Sequence, residues 1–147
     1  MLKDLGRSLV VSQSIAPADH TATVTGSEVD CRKCPKRCVI QVTVGTATLA
    51  DASNFFTFTV TQSTASGGTF VAVDASQYDF VAPTGSTTAW DGILNATTEG
   101  SAVYSFNFNM KRTYDYLKVV ATETATAQVI FGANIIFESA VQPATGA

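Results

Sequence analysis

Apolar residues recur at every second position along most of this chain, the pattern of strands that bury one face. In "CVIQVTVG" (38–45), Cys38, Ile40, Val42 and Val44 share one side, while Val39, Gln41 and Thr43 share the other. "FFTFTVTQ" (55–62) sets Phe56, Phe58 and Val60 against Thr57, Thr59 and Thr61. "AVYSFNFNM" (102–110) groups Tyr104, Phe106, Phe108 and Met110, and "AQVIFGANIIFES" (127–139) groups Val129, Phe131, Ala133, Ile135 and Phe137. Residues 8–14, 21–31, 69–73, 77–81 and 116–122 complete a set of nine expected strands. Pro17 is expected to end the first, Gly26 to mark a bulge or bend in the second, and "STASGG" (63–68) to turn 55–62 back into 69–73 as a hairpin.

No segment keeps a helical period, so short strands with polar turns predict an all-β fold, an antiparallel β-sandwich of jelly-roll-like type. The expected domain covers residues 8–139, with an N-terminal arm or short helix at 1–7 and a C-terminal tail at 140–147. One long connection interrupts the regular spacing, the Pro/Gly/Ser-rich residues 82–101, and long connections in compact domains usually carry function or form interfaces.

Composition sharpens this picture. At 147 residues the chain can bury about 70% of its unfolded surface in a single core. Charged residues are only 14% of the chain, below the roughly 25% of ordinary soluble domains. A surface of Thr, Ser, Ala and Asn suits packing against other protein. The net charge of −3 gives no electrostatic case for nucleic acid, and no apolar run reaches the length of a membrane helix, so neither partner is expected. The apolar run near the start is too short for a secretory signal, so export is not indicated.

Candidate chemistry is sparse. His20 beside Asp19 is the one histidine, and no G-x-S-x-G or phosphate-binding glycine loop accompanies it. No enzyme activity and no cofactor are therefore expected. Trp90, in the long connection, reads either as a lid folded over the open end of the sandwich or as an exposed anchor for a partner.

"VDCRKCPKRCVIQV" (29–42) holds all three cysteines and four of the nine basic residues. Structural zinc requires four ligands, and three thiols with a remote histidine fall short, so no metal is expected. An odd count without an export signal argues for reduced thiols. Cys31 continues the Val29 face and Cys38 opens the Ile40 face, positions where a free cysteine acts as a small hydrophobe. Arg32, Lys33, Lys36 and Arg37 then form an exposed basic turn and, with Trp90, make up the candidate partner contacts.

The order of segments resembles that of a group of small virion proteins of tailed bacteriophages. The residues that carry the likeness are "LVVSQSIAPADHTATVTGSEVD", "VIQVTVGT", "FTFTVTQSTASGGTFVAV" and "YDYLKVVATETATAQVIFGANIIFESA". They match an APA-containing first segment, a V-x-V-G strand, a K/R-V-V strand and a closing Gly-Ala strand. The basic turn and the 82–101 connection depart from the pattern. The resemblance implies a virion structural protein of the head-decoration or cement type, bound to the capsid exterior after synthesis in the host cytoplasm. Its implied partners are the major capsid protein and further copies of itself, with a trimer preferred. The alternative is a tail-associated or carbohydrate- and receptor-binding sandwich module, resting on Trp90 and its Ser/Thr-rich surroundings.

Overall fold

Burying one side of each alternating segment requires a second sheet to bury it against. In the computed structural model, which describes residues 9–80 and 90–139, two antiparallel sheets meet in that way. The strands are β1 (Leu9–His20), β2 (Val24–Thr25), β3 (Val29–Asp30), β4 (Arg37–Leu49), β5 (Phe55–Ser63), β6 (Val71–Ala72), β7 (Tyr78–Asp79), β8 (Ile93–Leu94), β9 (Ala102–Asn109), β10 (Tyr116–Thr124) and β11 (Gln128–Glu138). One sheet has the order β1-β11-β4-β9-β7; the other has β2-β10-β5-β6, with β3 also on β10 and β8 also on β5.

This order is that of a jelly roll. The turn after β5 is the tip of one long antiparallel hairpin whose arms pair as β5 with β6, β4 with β9, β2 and β3 with β10, and β1 with β11. Rolling that hairpin on itself adds the β11–β4 and β10–β5 ladders and closes the two sheets over one core. Away from the local β5–β6 tip the arms join residues far apart in sequence, so those ladders close large loops before they gain contacts.

The inward faces are those the alternation assigned. Cys38, Ile40, Val42 and Val44 on β4, Phe56, Phe58 and Val60 on β5, and Val129, Phe131, Ala133, Ile135 and Phe137 on β11 are all buried. Phe131 meets Phe56 edge-on at 5.0 Å and Phe58 at 4.9 Å, locking the middle of one sheet to the middle of the other.

Polar clasps add to this contact. Ser14 is buried, and its Oγ donates to the Ser27 carbonyl (2.9 Å) while accepting the Val119 amide (3.0 Å), tying β1 to the opposite sheet. Only glycine fits at position 26, because a Cβ there would lie 2.7 Å from the Ser14 carbonyl oxygen. At the other side Gln62 and Gln77, both buried, exchange amide hydrogen bonds of 3.3 and 3.1 Å, and Gln77 also donates to the Asn109 carbonyl at 3.0 Å.

Several boundaries differ from those the sequence predicts. Pro17 does not end β1, because an edge strand needs no partner for the missing N–H, and register shifts between Gln13 and Ala18 absorb the ring. The segment 21–31 splits into β2 and β3 around Gly26. The 82–101 connection contains β8, paired to β5, and a 3-10 turn at Thr97–Glu99. The N-terminal arm at 1–7, the tail at 140–147 and residues 82–89 of the connection lie outside the described residues.

Truncating the inter-sheet aromatic contact is expected to cost far more than any surface change. Phe131→Ala should lower unfolding free energy by about 3–5 kcal/mol, read from the midpoint and slope of urea denaturation.

Candidate interface at the basic turn and the adjoining sheet face

The basic turn joins β3 to β4 at one end of the sandwich. Its backbone is held by the Cys34 amide on the Cys31 carbonyl (2.9 Å) and the Met110 amide on the Lys36 carbonyl (2.7 Å). Lys36 has a φ of 71°, a left-handed conformation that costs a non-glycine residue energy. Its Nζ donates back to the Tyr114 carbonyl (2.7 Å) and to Asp115 (3.0 Å), contacts that stabilise this conformation.

An unpaired positive knob is not what forms. Arg32 grips Asp30 with two nitrogens, at 3.0 and 2.6 Å, and lies 5.7 Å from the centre of the Tyr116 ring. Hydrogen bonds from Arg32 hold the Asp30 carboxyl below its ordinary pKa. Lys36 pairs with Asp115, and Arg37 lies 3.7 Å from Asp79. Among the described residues, Lys33 alone of the four has no carboxylate partner. Asp79 and Asp115 lie far from the turn in sequence, which is why local charge counting overstated its positive character. Beside the turn runs a groove of about 570 Å³ lined by Val10, Asp30, Arg32, Lys33, Phe137 and Ser139.

The three thiols are buried and unpaired. Cys34 donates to the Arg37 carbonyl at 3.4 Å, and Cys38 is 3.7 Å from the Phe108 carbonyl. Burial pushes the Cys31 pKa up to about 12 and raises those of Cys34 and Cys38 as well, so all three are neutral packing groups near pH 7. Among the described residues, no group of three or more His, Cys, Asp or Glu side chains is arranged to hold a metal ion.

Trp90 is the lid rather than an exposed anchor. Its indole is only 8% exposed, donates to the Ile93 carbonyl at 2.8 Å, and packs on Phe58, Tyr104 and Phe106. A large aromatic packed between β5 of one sheet and β9 of the other lowers the free energy of the fold by covering apolar surface of both. Asp19 and His20 do not form an oriented pair. Asp19 accepts from Gln128 at 2.7 Å, while the His20 Nε2 lies 3.1 Å from the Phe131 carbonyl.

Missed from sequence is a broad uncharged face on the outside of the five-stranded sheet. Across it run Val11, Ile136, Val39 and Asn107, directly paired strand to strand. The neighbouring row is Gln13, Asn134, Gln41 and Ser105. Val11 is 57% exposed and Leu9 53%, high values for aliphatic groups side by side on one sheet. Charges lie at the ends, with Arg37, Asp79 and Glu138 fringing the face next to the basic turn and Asp19 at the far end of β1. A charge-poor centre with a charged rim is the anatomy of a protein interface. The signal was present in the sequence, since the central outward positions of β1, β4 and β11 are amides and aliphatics, with charges only toward the strand ends.

No protein-family profile matches the chain, and no curated protein is significantly similar to it in sequence. Among the described residues, no helix is long and apolar enough to cross a membrane.

The raised thiol pKa values fix a sign for the pH dependence. Above the ordinary value of 9.0 the unfolded chain loses thiol protons that the folded chain retains, so stability falls as pH rises from there toward about 12. Each buried thiol contributes a slope of up to about 1.4 kcal/mol per pH unit. Urea unfolding at about pH 8 and about pH 10 should show this loss, and Cys31→Ala should make it shallower.

Proposed function

We propose that this protein is a non-enzymatic virion structural protein of the decoration or cement type, which binds the outside of a phage head and stabilises it by bridging capsomers. The observation that carries this reading is the uncharged outer face of the five-stranded sheet, with its charged rim at the basic turn. The resemblance to small virion proteins of tailed phages supports it. A jelly roll is also at home in viral capsid proteins, though fold alone selects no function.

Physically, the reading needs little from each copy. A rigid β-domain repeated by capsid symmetry turns modest contacts into strong attachment, because neighbouring sites act together. The major capsid protein is the proposed partner for the row of Val11, Ile136 and Val39. Self-association into a trimer at three-fold positions is the preferred arrangement. The capsid exterior is the proposed location.

The experiment uses heads of the virus that encodes the protein, stripped of it and then reloaded. Reloaded heads should resist heat better than stripped heads. Gln41→Lys, which puts a charge in the middle of the face without touching the core, should weaken head binding at least about tenfold, or about 1.4 kcal/mol. Thr122→Lys, on the opposite sheet, should leave binding unchanged. Equal heat resistance with no head binding would overturn the proposal.

A further inference from the structure

The outer face of the second sheet contains a notch that the shell-binding reading does not use. Strand β5 has two different neighbours along one edge: β6 pairs with Thr61 and Gln62, and β8 with Phe56 and Thr57. Between them, among the described residues, the edge has no strand beside it. There the Phe58 amide donates to the Gly92 carbonyl (2.8 Å), and the Val60 amide donates to the Tyr78 hydroxyl (2.8 Å). The resulting groove is open to solvent and has a volume of about 370 Å³, toward the small end of ligand sites.

Its lining is specific in kind. Thr57, Thr59 and Thr61 supply a row of hydroxyls from successive outward positions of β5. Tyr78 and Phe80 form the wall at the seam between the sheets, their rings 5.6 Å apart and only 5° from parallel. Phe80 is 41% exposed despite this stacking. Asp91 completes the lining, with one carboxylate oxygen accepting the Ile93 amide at 3.0 Å and the other without a partner among the described residues. The Tyr78 hydroxyl, having accepted the Val60 amide, finds no acceptor for its own proton among the described residues.

We infer that this notch is a binding site for a neutral sugar ring of a glycan. A pyranose has an apolar C–H face that stacks on an exposed aromatic ring, and a rim of hydroxyls that both donate and accept. Phe80 offers the ring, Thr57 and Thr61 offer donors and acceptors together, Thr59, whose hydroxyl donates to the Val120 carbonyl at 3.5 Å, offers an acceptor, Tyr78 offers a proton and Asp91 an acceptor. An added peptide strand does not suit the gap, because Phe58 and Val60 have already committed their amide protons and the strand positions on both sides are filled. An anionic ligand does not suit it either, since the charged group in the lining is a carboxylate and no described lining residue is cationic. The inference is independent of head binding, which uses the opposite sheet.

The test is an NMR titration of the whole ¹⁵N-labelled protein with cellobiose, chitobiose, maltose, lactose and mannobiose at about 10 mM, enough to register a Kd of about 1 mM. At least one should shift the Thr57–Thr61 and Gly92 amides saturably. Phe80→Ala and Thr59→Val should each weaken that binding at least about tenfold, as expected when a ring or a hydroxyl contact is lost. Thr59→Val keeps the β-branched shape on the surface, so it reports on the hydroxyl even if the aromatic variant folds poorly. Gln41→Ala, on the other sheet, should leave the shifts intact. The inference is overturned if none of the sugars moves these amides or if the shifts survive Thr59→Val undiminished.

Discussion

The edge-on contact of Phe131 with Phe56 and Phe58 holds the two sheets in register. Phe131 stands on β11, an inner strand of one sheet, and its partners stand on β5, an inner strand of the other. The long hairpin that forms the jelly roll could pair along its arms without closing; this contact makes the rolled arrangement the one that excludes water. The Ser14 clasp and the Gln62–Gln77 pair then satisfy the polar groups that closure buries. Those inward aromatics free the outward positions to be chosen for other purposes.

What those positions became differs between the two sheets. The five-stranded sheet carries aliphatics and amides in its middle with charges at its ends, a surface that costs less to desolvate than a charged one. The second sheet carries the threonines of β5, beside the Tyr78–Phe80 wall at the seam with the first sheet, a surface that keeps hydrogen-bonding capacity in the open. A protein fixed to a particle by one sheet would present the other to its surroundings. The two proposed contacts are therefore compatible in a single copy.

Sequence alternation revealed most of the core because period two is local: each of β4, β5, β9 and β11 shows its buried side without reference to any partner. The cysteines followed the same rule, being small hydrophobes on buried positions. Properties that depend on distant residues did not emerge. Asp115 and Asp79 neutralise Lys36 and Arg37 from across the fold. Gln62, polar by type, is buried because Gln77 folds a reciprocal amide onto it. Pro17 reads as a break until its strand is known to lie at an edge. Trp90 left two readings open, and the burial of its ring against Phe58 and Tyr104 separates them. The candidate interface was only half legible: the basic turn stood out by charge, while the larger face beside it consists of residues whose significance lies in having none.

The most direct measurement is an electron cryomicroscopy reconstruction of the intact particle that carries this protein. The account predicts copies on the outside of the head, with Val11, Val39, Gln41 and Ile136 turned toward the shell and the Thr57–Thr61 row turned away. Density confined to the tail, or copies seated on the head through the threonine-bearing sheet, would contradict it.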